Sequence, residues 1–179
     1  MGGLGTHSAA YQLTVLYFEP NHAQPTHRLQ GYFMLHDNDR LNSITGSAFG
    51  SLETVGGNFH LSANRQFEGI TNSAFGSLRT IAGYFRMNLE RLRAITGSAF
   101  GSLDTVGGDF TVAHCGRLTE LESFTSLTQI RGQLAMFALA ENFNRATALQ
   151  ALECVGSLFF RTTEVVATPP RAATLGPCE

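Results

Sequence analysis

The chain has 179 residues, of which 43% are hydrophobic and only 15% charged, with a formal net charge of −2. That is enough for one domain with a sizeable core, and the near-neutral balance excludes the basic footprint of a nucleic-acid or anionic-membrane binder. All 12 basic residues are arginine, which also excludes chemistry needing a lysine amine, such as a P-loop or a Schiff base.

Residues 1–28 hold a possible strand, Tyr11–Phe18, and a polar loop with Pro20 and Pro25; they read as an N-terminal cap or an atypical coil. The run Tyr11–Phe18 is short for a signal-peptide core and has no basic segment before it. No apolar run in the chain approaches transmembrane length, so no membrane insertion is expected. His22 and His27 have no partnered cysteine or acidic cluster and read as loop histidines.

From residue 29 onward the chain repeats. Ile44–Phe59 returns almost verbatim as Ile95–Phe110, with a looser copy, Ile70–Phe85, between them. The motif Phe-x-x-Leu-x-x-Val/Ile falls at Phe49/Leu52/Val55, Phe75/Leu78/Ile81, Phe100/Leu103/Val106 and Phe124/Leu127/Ile130. A degenerate copy follows at Leu149/Leu152/Val155, and the steps are 26, 25, 24 and 25 residues. A unit of this length cannot bury its own apolar face, so the copies must stack.

After each motif come one or two glycines and an alternating apolar pair: Phe59/Leu61, Phe85/Met87, Phe110/Val112, Leu134/Met136 and, shifted by one, Leu158/Phe160. An earlier pair, Phe33/Leu35, follows Gly31. Such alternation predicts a short strand with one buried face. Gly57, Gly83, Gly108 and Gly132 fit corners that need positive φ or close backbone approach. Three residues beyond the strand stand Asn38, Asn64 and Cys115, a placement that resembles the asparagine ladder of leucine-rich repeats and so implies a structural ladder whose side chains satisfy backbone groups inside the turn. The third coil departs from this, with Glu90 at that offset and Leu92 one place early, as a local deletion would produce.

The coil closes through Leu41/Ile44, Phe67/Ile70, Leu92/Ile95, Leu118/Leu121 and Phe143/Ala146. Ser47, Ser73 and Ser98 are expected to cap one-turn helices that carry the next Phe-x-x-Leu pair. Phe49, Phe75, Phe100 and Phe124 should stack as an aromatic column. The expected fold is therefore mainly β: a right-handed single-chain solenoid of about six coils of about 25 residues. Each coil would carry one short parallel strand plus short helical or 3-10 turns. The solenoid occupies residues 29–161, and residues 162–179, with three prolines, read as a loose C-terminal tail. Three cysteines without close spacing do not make a disulfide framework or a zinc site. Cys154 with Cys178 would tie the tail to the last coil, but free thiols are the preferred reading.

The pattern Phe-x-x-Leu-x-x-Val-Gly-Gly-x-Phe-x-Leu-x-x-Asn-x-x-Phe/Leu-x-x-Ile resembles the receptor L-domain family, leucine-rich-like solenoids of receptor ectodomains and fungal cell-wall proteins. The Ala-Phe-x-x-Leu segment is also similar to BspA-type leucine-rich repeats. The resemblance implies an extracellular or cell-surface setting and binding of a protein or glycan through the exposed face of the parallel sheet.

By alternation, that face carries two outward rows: Tyr32, Asn58, Tyr84, Asp109, Gln133 and Met34, His60, Arg86, Thr111, Ala135. Core positions repeat while these positions vary, as a specific binding surface on a repeated scaffold would. No catalytic constellation can be assembled, and no cofactor or metal is expected. Asp37-Asn38-Asp39 lacks the spaced oxygen ligands of a calcium loop. Two alternatives stand beside recognition or adhesion. One is a purely structural repeat. The other is ice or surface binding through the rows Thr45/Thr71/Thr96 and Thr54/Thr80/Thr105, neither of which lies in the expected strand.

Overall fold

The computed structural model describes residues 27–144, 147–159 and 172–178. The expected strand Tyr11–Phe18, His22, Ala146 and Phe160 lie outside the described residues. The chain is a parallel β-solenoid of about five turns, against about six expected. Among the described residues, the last copy has one strand, Cys154–Leu158, paired to the edge of the long strand Gln129–Phe137.

A complete coil carries three short strands, not one. A first row comprises Arg28–Leu29, Thr54–Val55, Thr80–Ile81 and Thr105–Val106, and runs into the start of Gln129–Phe137. The central row comprises Phe33–His36, Phe59–Ser62, Phe85–Asn88 and Phe110–Ala113, and ends on the same long strand. A closing row forms a separate four-stranded sheet from Ser43–Ile44, Gly69–Ile70, Ala94–Ile95 and Glu120–Leu121. Only the central strands are long enough to show alternation; two-residue strands carry no period to detect. The shifted pair at Leu158 is explained by a register slip, since Leu158 still pairs with Leu134 after the corner loses one residue.

The core contains two phenylalanine columns where one was expected. Phe33, Phe59, Phe85 and Phe110 stack at 4.7, 5.2 and 4.6 Å between ring centroids. Phe49, Phe75, Phe100 and Phe124 stack beside them at 5.0, 5.0 and 4.9 Å. The two columns meet edge to face, as in Phe85 against Phe100 and Phe124. Both geometries suit the aromatic quadrupole, offset stacking within a column and T-shaped contact between columns.

Backbone corners explain the glycines. Gly57, Gly83, Gly108 and Gly132 do not need positive φ; they are small because an added Cβ would press on the coil beneath, at 2.5 Å from the Gly108 carbonyl carbon in the case of Gly132. The left-handed positions lie elsewhere. Gly46, Asn72 and Gly97 have φ of 67°, 62° and 68° in the equivalent turn of three coils, and asparagine is the residue that best tolerates this conformation after glycine.

The ladder is built as expected at its first two rungs. Asn64 Oδ1 accepts the Asn38 N–H at 2.8 Å, and Asn64 Nδ2 donates to the Leu35 carbonyl at 2.9 Å. Cys115 takes the equivalent place in its coil, its thiol donating to the Ala113 carbonyl at 3.3 Å. In the third coil the rung is Leu89, fully buried, and Glu90 is exposed. Asp37, Ala63 and His114 precede their ladder residues at φ of 56°, 52° and 52°. The third coil runs from Asn88 straight into Leu89, so the deleted residue is this left-handed one.

The expected one-turn helices are hydrogen-bonded turns instead. Gly50, Gly76 and Gly101 donate to the carbonyls of Ser47, Ser73 and Ser98, and it is the serine carbonyl rather than the hydroxyl that closes each turn. Among the described residues the single 3-10 helix is Ala172–Thr174. It belongs to a segment read from sequence as loose: Ala172 is fully buried, Leu175 packs on the core, and the Gly176 carbonyl accepts the Val155 N–H at 3.1 Å. Cys154 and Cys178 are joined in a disulfide, so the free-thiol reading is corrected for both, and Cys115 is the free, buried cysteine. The segment covers the last coil, whose apolar edge would otherwise face water.

Candidate ligand-binding face

The central row fixes the geometry of the exposed sheet. Met34, His60, Arg86, Thr111 and Ala135 are consecutive Cα partners across five strands, as the alternation predicts. Phe159, one residue past the Leu134/Leu158 pair, donates its N–H to the Leu134 carbonyl at 3.0 Å and lines the same face as Thr111 and Ala135. A further outward row, His36, Ser62, Asn88, Ala113 and Phe137, runs parallel to it. Sequence reasoning missed this row and Phe159; extending the alternation by one residue past each buried pair would have found the row.

The other expected row does not form a uniform surface. Tyr32, Asn58, Tyr84, Asp109 and Gln133 sit at the corner just ahead of the central strands. Asn58 Oδ1 accepts the Tyr84 N–H at 3.0 Å, and Asp109 Oδ1 accepts the Gln133 N–H at 2.8 Å. These two side chains turn along the solenoid axis and bond one coil to the next. Gly83 and Gly132 make room for them, because a Cβ at either would collide with the Asn58 or Asp109 oxygen. Tyr32 and Tyr84 remain available, Tyr32 as the one exposed large hydrophobic residue among those described.

The face changes character along its length. Toward the N-terminal coils it is bulky and polar. The Arg86 guanidinium lies 5.1 Å from the Tyr84 ring centre, and the His60 ring meets Tyr84 edge-on at 6.1 Å. Burial, helped by the nearby Arg86 charge and by His36, pulls the His60 pKa below its ordinary value, so the fixed cation of this cluster is Arg86. No carboxylate pairs with Arg86 among the described ion pairs. Toward the C-terminal coils the outward residues shrink to Thr111, Ala113 and Ala135, then rise again at Phe137 and Phe159. The result is a depression of about 280 Å³ with Arg86 and Asn88 at one wall and the two phenylalanines at the other. Phe137 also meets His114 edge-on and lies 5.6 Å from Phe159. A second depression of about 530 Å³ lies where the third coil is one residue short, lined by Arg65, Glu90 and Arg91 and sharing Asn88 with the first.

The remaining sequence candidates fall into structural places. Asn38 and Asn64 are buried ladder residues, and Asp37 pairs with His36 at 3.1 Å. The His27 ring donates from Nδ1 to the Ser51 carbonyl at 2.8 Å. Burial pushes the Cys115 thiol up to about 11, which keeps it protonated. Thr54, Thr80 and Thr105, expected outside any strand, are consecutive partners in the first row, flanked by Arg28 and Gln129. Among the described residues no three His, Cys, Asp or Glu side chains gather as metal ligands, and no helix is long and apolar enough to cross a membrane.

Comparison of the chain with protein-family models, with curated proteins and with solved structures returns no match.

Proposed function

We propose that the chain is a non-enzymatic recognition or adhesion module that binds a protein or glycan through the outward face of the central row. The observation that carries this reading is the contrast within one register. Inward partners stay apolar, Phe33, Phe59, Phe85, Phe110 and then Leu134, whereas the residues stacked beside them change from Met34 to His60, Arg86, Thr111 and Ala135. A surface that only capped a core would have no need of the unpaired Arg86 or of a walled depression beside it. The resemblance to receptor L-domains and leucine-rich repeats points to the same face. The Cys154–Cys178 disulfide favours an oxidising, extracellular setting for it.

The test is a screen of glycans and receptor ectodomains with the parent chain, Arg86→Glu and Tyr84→Ala, each checked by circular dichroism. Loss of binding in correctly folded variants supports the assignment. A ligand held equally by all three sinks it.

The in-register Thr54, Thr80 and Thr105 favour a second reading, ice or surface binding, since adjacent strands repeat every ~4.8 Å. Thermal hysteresis in the parent protein, abolished by Thr80→Val, is its expected signature, and no hysteresis in the parent ends it.

A further inference from the structure

We infer that the two depressions of the central face together hold an acidic glycan, with a uronic-acid ring seated between Arg86 and the Phe137/Phe159 wall. This rests on the sheet-face reading above and names its ligand class.

Shape comes first. Three strand steps separate Arg86 from Phe159, roughly 14 Å at ~4.8 Å per strand. Between them the floor is Thr111 and Ala135, with Ala113 alongside, and Ala113 and Ala135 are buried. The volume of about 280 Å³ lies at the lower edge of the roughly 300–1,000 Å³ usual for small-molecule pockets. That suits one or two sugar rings.

Chemistry decides the class. The two walls are unlike: a guanidinium without a carboxylate partner on one side, aromatic rings on the other. A pyranose presents the complement, since its C–H face packs on an aromatic ring while its edge makes hydrogen bonds. A carboxylate on that edge would meet Arg86, whose planar fork suits carboxylates. Asn88, Thr111, His114 and Gln133 supply hydrogen-bonding groups around the same floor, and the Asp109 carboxylate that also lines it is engaged through Oδ1 by the Gln133 N–H at 2.8 Å. Arg86 rests against Tyr84, which leaves its charge in place without neutralising it.

A single ring would not use the whole surface. Asn88 also lines the larger depression, where Arg65 and Arg91 stand with the single carboxylate Glu90. Arg65 approaches Asp39 only at 3.8 Å in an exposed pair, which offsets little of its charge. Arg91 has no carboxylate partner among the described ion pairs. A chain of acidic sugars leaving the first depression past Asn88 would therefore meet further positive charge.

Titration calorimetry of the full chain with three probes tests the assignment: a hexamer of galacturonic acid, its methyl ester and neutral maltohexaose. The acid is expected to bind at least tenfold tighter than either neutral probe and to weaken as salt rises. Arg86→Gln should remove that tenfold preference. Phe159→Ala should weaken the acid and the ester together. Equal binding of acid and ester, or full affinity in Arg86→Gln, overturns the acidic-sugar assignment, and so does the absence of binding by the acid. The broader sheet-face reading fails separately: any ligand from the wider screen that survives Arg86→Glu and Tyr84→Ala counts against it, whatever the galacturonate result.

Discussion

Phe85 should be the most costly phenylalanine to truncate. Its side chain is fully buried, stacked between Phe59 at 5.2 Å and Phe110 at 4.6 Å, with the edges of Phe100 and Phe124 at 5.6 and 5.4 Å. Truncating a buried phenylalanine to alanine costs about 3–5 kcal/mol from lost transfer energy and the residual cavity. The rings around Phe85 are themselves locked by their neighbours, so the cavity has little room to collapse, and Phe85→Ala should fall near the top of that range. Phe49 is the built-in control. It stands first in the other column, is only partly buried, and among the described residues stacks on Phe75 and meets Phe33 edge-on. Phe49→Ala should cost about 1–2 kcal/mol, in line with partial burial of an aromatic side chain. Phe85→Leu keeps most of the apolar volume and loses only ring geometry, so it should also cost about 1–2 kcal/mol.

Urea titration followed by circular dichroism measures all three, with an unchanged slope certifying that midpoint shifts report stability. Equal losses for Phe85→Ala and Phe49→Ala would refute the claim that the two columns act as one interlocked core. A Phe85→Leu variant indistinguishable from the parent would remove the ring geometry from the account.

Ser123 occupies the place held by Ala48, Ala74 and Ala99 in the preceding coils, and its buried hydroxyl has no hydrogen-bond partner among the described residues; Ser123→Ala should stabilise the chain by about 1 kcal/mol, and a destabilisation in urea would refute that account. Replacing Cys154 and Cys178 together by serine opens a link across 24 residues and should cost about 3.5 kcal/mol by chain entropy, read as a lowered urea midpoint that reductant no longer changes. Cys115, held near 11, should resist iodoacetamide at pH 8 in the native state and react once the chain is unfolded; rapid native alkylation seen by mass spectrometry would contradict its burial. The folded-state pKa of His60 lies below the ordinary histidine value of 6.5, so the unfolded chain takes up more protons there. Its contribution is present above pH 6.5 and lost as pH falls toward the folded value, a loss that His60→Gln should remove from the urea midpoint.

The architecture was legible because its strongest signals are periodic. The Phe-x-x-Leu-x-x-Val spacing, the glycine corners and the ladder positions each recur, and they mark the core, the close backbone approaches and the turns whose backbone groups need a partner. What the sequence hid has no period of its own. The first and closing strands are two residues long, and their pairing depends on the neighbouring coil rather than on local alternation. The second phenylalanine column was concealed because Phe59, Phe85 and Phe110 were already accounted for as strand residues, and nothing local says that their rings reach across to Phe100 and Phe124. The Cys154–Cys178 bridge joins residues whose proximity only the folded C-terminal segment creates.

The candidate site shows the same division. Alternation correctly predicts that Met34, His60, Arg86, Thr111 and Ala135 share a face, because side-chain direction is a local property of a strand. It cannot say that Asn58 and Asp109 bend along the axis to receive the Tyr84 and Gln133 N–H groups, since the receiving groups lie one coil away. That distinction narrows the functional reading. An asparagine or aspartate at the corner is held there by backbone geometry in the next coil, so its identity says little about a ligand. Arg86 has no such bond to account for it, and Thr111, Ala113 and Ala135 are small where other coils place histidine, arginine or methionine. The copies Ile44–Phe59 and Ile95–Phe110 are nearly identical up to the central strand, yet one continues into His60 and the other into Thr111. The depression therefore follows the outward substitutions, over a core that also changes there, with Leu134 in the phenylalanine place and Val112 between Met87 and Met136.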